Sequence, residues 1–71
     1  MPKITLAGAR KSAGYTQEEL ARSIGVSRNL VNQWESGKAR MQLYHLYAFC
    51  HLTGFSEADI LLPSDIAKRH N

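Results

Sequence analysis

One cysteine, Cys50, stands in the 71 residues, so no internal disulfide can form and the chain reads as one suited to a reducing compartment. No apolar run approaches the roughly 20 residues that a membrane-crossing helix needs. The opening stretch "MPKITLAGARKSAG" lacks the apolar core of a secretion signal, and a cytoplasmic location is expected. There is no low-complexity tract, no obvious internal repeat and no segment with the alternation of a strand. Length itself is in short supply. A chain of this size buries only about 60% of the surface that its unfolded form exposes. One marginally stable domain, 1–71, is expected, with no room for a deep catalytic cleft or a second, effector-binding domain. The function should be non-enzymatic and lie on the outer surface, with no cofactor and no small-molecule ligand.

What is present is a lopsided charge. Residues 1–40 hold seven cations (Lys3, Arg10, Lys11, Arg22, Arg28, Lys38, Arg40) against three carboxylates (Glu18, Glu19, Glu35), a surplus of four. Residues 41–71 hold Lys68 and Arg69 against Glu57, Asp59 and Asp65, a deficit of one. The first half is thus the half suited to a polyanion.

That half is also sharply punctuated. Leu6, Ala9, Arg10 and Ala13 recur at helical spacing, with Pro2 placed at or before the start and Gly14 placed to end the turn. In "TQEEL", Thr16 is a good N-cap and Glu19, three residues on, completes a capping box. Leu20, Ala21 and Ile24 form the inward stripe of this second helix. "IGVS" follows: Gly25 can take a positive φ, Val26 can point inward, and Ser27 can cap the next helix. So short a glycine-containing link is what a helix-turn-helix corner uses, and Gly37 supplies the stop for the third helix.

The second half is less clear. Leu46, Phe49, Cys50 and Thr53 make a buried helical stripe that Leu43 extends, without a convincing N-cap before it, and Gly54 ends it. Ser56 with Asp59 reads as the cap of a short fifth helix ending before Pro63. Residues 64–71 read as a loose tail. The expected fold is all-α, a compact bundle of about five short helices with a helix-turn-helix over about residues 17–36.

The third helix, over residues 28–36, has two different sides. On a wheel with Arg28 at zero, Leu30, Trp34 and Val31 fall near about 200°, 240° and 300°, while Asn32, Asn29 and Gln33 fall near about 40°, 100° and 140°. An apolar wall thus backs a wall of one guanidinium and three carboxamides. Arginine matches the paired acceptors of guanine, and Asn or Gln matches the acceptor and donor of adenine, so this face suits base edges in the major groove.

The run "YTQEELARSIGVSRNLVNQWESGK", with weaker agreement upstream to Arg10 and downstream through "LYAFCHLTGFSEADIL", resembles the helix-turn-helix of the lambdoid phage repressor and Cro proteins and their bacterial relatives. The resemblance implies a lambda repressor-like fold and a short, Cro-like repressor of transcription that reads double-stranded DNA. Base contacts are implied for Arg28, Asn29, Asn32 and Gln33. Phosphate contacts are implied for Gln17, Ser27, Ser36, Lys38 and Arg40, together with the backbone amides around Gly37. An ion pair between Arg10 and Glu35 is implied as structural, with Trp34 and Val31 as core. Such proteins usually bind a two-fold symmetric operator as homodimers. The apolar residues left for that contact are Phe55, Leu61, Leu62 and Ile66, with dimerisation weak without DNA and Phe55 and Ile60 also suited to closing the monomer.

Three positions depart from the pattern. Leu30 stands where relatives often carry a small polar residue, and either pads the corner or meets a thymine methyl. Ala13 and Thr53 stand where larger apolar side chains are usual, so the core there is expected to be either underfilled or repacked by Tyr15, Tyr47 and Phe55. Two other functions fit the composition. One is an antitoxin, a protein-binding module that also binds DNA. The other is a metal site on His45, Cys50 and His51. Adjacent Cys50 and His51 point about 100° apart on a helix, and His45 lies six residues before His51, so that spacing does not favour shared ligation and no metal is expected.

Overall fold

The computed structural model describes residues 3–62, so Pro2, Ile66 and the expected tail 64–71 lie outside the described residues. Four helices carry the fold: α1 (Leu6–Ser12), α2 (Gln17–Ile24), α3 (Arg28–Ser36) and α4 (Leu43–Thr53). Two short strands, β1 (Ile4–Thr5) and β2 (Ile60–Leu61), flank them, with a 3-10 turn over Glu57–Asp59 before β2.

Each helix start has a local cause. α1 begins at Leu6, because Thr5 is its N-cap: the hydroxyl accepts from the Gly8 N–H at 3.0 Å. The expected entry at Pro2 is therefore replaced by an extended Ile4–Thr5, and Ala13 falls past the helix end, exposed rather than inward. At α2 the capping box is complete. The Thr16 hydroxyl accepts from the Glu19 N–H at 3.0 Å, and the Glu19 carboxylate accepts from the Thr16 N–H at 2.9 Å. The Thr16 backbone N–H, followed by its hydroxyl, holds the Glu19 carboxyl below its usual range.

Gly25 turns the corner at φ 91°, a conformation costly for any residue with a Cβ, and Ser27 then caps α3 by accepting from the Leu30 N–H at 3.1 Å. α2 and α3 share the most extensive helix–helix contact.

The core is Leu6, Ala9, Leu20, Ala21, Val31, Trp34, Leu46, Phe49 and Ile60. Tyr15, Ile24, Val26, Leu30 and Phe55 pack around it half-buried. Tyr47, expected to help fill the space beside Ala13 and Thr53, is instead exposed, and so is Leu43.

The fifth helix shrinks to a single 3-10 turn. The Ser56 hydroxyl donates to the Asp59 carboxylate at 2.9 Å and caps no backbone N–H. The chain straightens at Ile60 so that β2 can pair with β1 in parallel, Ile4 opposite Ile60 and Thr5 opposite Leu61. Among the described residues this ladder is the one addition to an otherwise helical fold. It ties the two ends of the described chain together and seats Ile60 in the core.

Candidate nucleic-acid interface

α3 presents its outer face because its inner face is fixed. Val31 and Trp34 are 1% and 2% exposed, and the Trp34 ring lies 5.1 Å from that of His45 on α4. Leu30 is half-buried against the core, so it pads the corner. On the opposite side Arg28, Asn29 and Asn32 are exposed, with Gln33 half-buried at the edge. With Gln17 from α2, the first three line a shallow groove of about 240 Å³.

Behind this face runs a network that starts in the core. The Arg10 Nε donates to Glu35 Oε2 at 2.7 Å, Nη2 reaches Oε1 at 3.4 Å, and Nη1 donates to the Tyr15 carbonyl at 2.8 Å. The two side chains are only 9% and 10% exposed. The structure thus brings Arg10 and Glu35 together, with α1 and the end of α3 joined through them.

Gln17 extends the network outward. Its Nε2 donates to Glu35 Oε1 at 2.9 Å and to Asn32 Oδ1 at 3.4 Å. A carboxylate only accepts, so the Gln17 amide nitrogen has to face Glu35, and its two hydrogens are both engaged. The side chain implied as a phosphate contact therefore turns its donors inward and works as a brace between the ion pair and the outer face. Asn32 is changed as well. Its carbonyl accepts from Gln17, which leaves the NH₂ group and the second lone pair of that carbonyl for a ligand.

Around this face lie the remaining expected contacts. Ser27, Ser36, Lys38 and Arg40 are all exposed. Ser27 Oγ is the cap acceptor of α3, and Ser36 Oγ donates to the Gln33 carbonyl at 3.3 Å. The backbone amides implied around Gly37 point the other way. At φ 84°, Gly37 reverses the chain, and the Lys38 and Ala39 N–H groups donate to the Gln33 carbonyl at 2.9 and 3.2 Å. They satisfy the open end of α3, which leaves the side chains of Lys38 and Arg40 to meet an anion. Lys3, Lys11 and Arg22 carry no implied contact, and one of the three lies beside this face. Lys11 shares a wide, open concavity of about 700 Å³ with Thr16, Gln17 and Arg28. Its position next to Arg10, in the last turn of α1 just ahead of the α2 cap, was the available signal.

The other expected sites are dispersed. Phe55 and Leu62 are half-buried against the core, Leu61 is half-buried in β2, and Ile66 lies outside the described residues. The large apolar side chains most exposed are Leu43, Tyr44 and Tyr47, all on α4. The His45 ring lies tilted against those of Trp34 and Tyr44, and desolvation, followed by the charge of Glu57, pushes the half-buried Cys50 thiol up. No group of three His, Cys, Asp or Glu among the described residues could hold a metal ion, and no described helix is long and apolar enough to cross a membrane.

A protein-family model described as helix-turn-helix matches residues 6–60, which covers all four helices and the 3-10 turn. No curated protein and no solved structure matches the chain significantly.

Proposed function

The chain belongs to the Cro/C1-type helix-turn-helix family, whose domain implies sequence-specific DNA binding, and we propose that it is a Cro-like repressor of transcription that reads double-stranded DNA with α3 in the major groove. The observation that carries this is the division of α3, with Val31 and Trp34 1% and 2% exposed behind a solvent-facing Arg28, Asn29 and Asn32.

Each side chain has a task that its chemistry permits. Arg28 suits the two acceptors of guanine, while Asn29 and Gln33 suit the acceptor–donor pair of adenine. Asn32, its carbonyl already accepting one bond from Gln17, keeps both amide hydrogens free for guanine, a thymine oxygen or a phosphate. Lys11, Lys38 and Arg40 neutralise phosphates, with Ser27 and Ser36 as neutral contacts beside them. Two copies bind a two-fold symmetric site with recognition helices about 34 Å apart.

Selection from random duplex DNA tests this reading, run on the wild type and on Arg28→Ala, Gln33→Ala and Lys38→Ala. The first two variants are expected to lose preference at particular base pairs, each worth about 1–3 kcal/mol. Lys38→Ala should weaken all sequences alike and flatten the salt dependence by about one unit of log–log slope. Uniform loss in Arg28→Ala and Gln33→Ala would make them phosphate contacts and remove the base-reading role.

A further inference from the structure

Gln17 touches two residues of α3 that lie on one flank. On the wheel with Arg28 at zero, Glu35 falls near about 340°, Asn32 near about 40° and Asn29 near about 100°. Half-buried Gln17 bridges the first two from α2, with its Nε2 2.9 Å from Glu35 Oε1 and 3.4 Å from Asn32 Oδ1. Both bonds leave from the same nitrogen. That shared donor decides the polarity of what lies beyond it.

The polarity begins in the core. Arg10 holds Glu35 through two nitrogens, and a carboxylate can only accept. A hydrogen bond to an ionised acceptor is about twice as strong as a neutral one, so Glu35 fixes which way the Gln17 amide points. Turned over, Gln17 would set its carbonyl against the carboxylate, oxygen against oxygen. With Nε2 held towards Glu35, its second hydrogen faces Asn32, which can answer only with its carbonyl. The two heads of a carboxamide diverge, so the NH₂ of Asn32 turns away from Gln17, to the side of α3 that carries Asn29.

We propose that Gln17 is a specificity-determining residue that touches no base: it sets Asn32 with its donor outward, so that Asn32 takes guanine or thymine and rejects cytosine. In the major groove guanine offers N7 and O6 and thymine offers O4, all acceptors, whereas cytosine offers its N4 donor. Unbraced, Asn32 would not make this choice. The outer torsion of an asparagine side chain is broad and roughly two-fold, so a free carboxamide offers either head and meets guanine and cytosine alike. An exposed bond of 3.4 Å is weak in water, and a duplex laid over the groove strengthens it by excluding water. The inference rests on the DNA reading for its consequence, while the polarity itself is measured without DNA.

Two measurements test it. In the free labelled chain, nitrogen–proton NMR follows exchange of side-chain amide hydrogens with water. Those of Gln17 should exchange at least about threefold more slowly than those of exposed Asn29, and those of Asn32 at the Asn29 rate. Equal rates for Gln17 and Asn29, or slow exchange at Asn32, would overturn the proposal with no duplex present.

Selection from random duplex DNA reads the consequence. Asn32→Ala marks the position that Asn32 reads, by loss of preference there. At that position the wild type should favour guanine or thymine over cytosine by at least about fivefold, and Gln17→Met should bring the ratio within about twofold. Gln17→Met combined with Asn32→Ala should match Asn32→Ala alone there. Asn32→Asp, an exposed substitution that still accepts from Gln17 but has no donor, should turn the choice to cytosine, and it keeps the test decisive if Gln17→Met folds poorly. If Gln17→Met weakened every sequence alike and kept the preference, Gln17 would be a phosphate contact and the proposal would fall. It would fall equally if Asn32→Ala relaxed no position. A wild type that selects no duplex would overturn the DNA reading and this role together, and slow Gln17 hydrogens would then leave only the brace standing.

Discussion

Arg10→Met is expected to cost about 3–5 kcal/mol of folding stability, because it leaves the Glu35 carboxylate nearly buried with its cation gone. Gln17 still donates one hydrogen bond to Glu35, but the Tyr15 carbonyl loses its guanidinium partner as well. A chain of this length has roughly 4–11 kcal/mol in total, so the loss is a large fraction of what holds the domain together. At about 4–8 °C per kcal/mol for a domain of this size, the melting temperature should fall by more than about 12 °C. Arg10→Met with Glu35→Leu is the informative companion. Removing both charges leaves no stranded carboxylate, and the double variant should recover much of the loss. A single variant that melts with the wild type would show that the pair contributes nothing to stability.

Trp34→Ala should be of similar size, about 3–5 kcal/mol, through the cavity left where the indole packs at 2% exposure above His45. Trp34→Phe, which keeps a ring in place, should cost less. The functional signature separates this residue from the outward ones. Trp34 fixes the orientation of the whole helix, so its loss should weaken binding to every duplex at once. Gln33→Ala should instead relax preference at one position. Chemical denaturation and duplex titration on the same samples measure both quantities. If Trp34→Ala kept wild-type stability and lost a single base preference, the indole would be a reader and not a support.

Most of what positions the interface was legible because its determinants are local. The Thr16–Glu19 box, the Gly25 corner and the Ser27 cap lie within a few residues of what they act on. The two-sided wheel of α3 needs only the period of a helix. The features that escaped depend on partners far along the chain. Nothing in Ile4–Thr5 announces that it pairs with Ile60–Leu61, since two residues are too few to show an alternating pattern. The same pairing accounts for the fifth helix stopping after one turn.

The candidate site shows the same boundary. Arg28, Asn29 and Asn32 sit outward as the wheel places them. That Gln17 spans to Glu35 and Asn32, 18 and 15 residues away, was hidden, because it depends on how α2 and α3 cross. α4 was misread at Leu43 and Tyr47 for a different reason. With apolar residues on every side, its sequence does not distinguish the inward face from the outward one.

Nitrogen–proton NMR of the labelled chain, titrated with a duplex carrying the selected site, probes the division of α3 directly. The side-chain amide signals of Asn29, Asn32 and Gln33 and the guanidinium signal of Arg28 should shift and saturate with DNA, while the Trp34 indole N–H stays in place. Carboxamide signals on α3 that do not move, with saturating shifts confined to another helix, would contradict it.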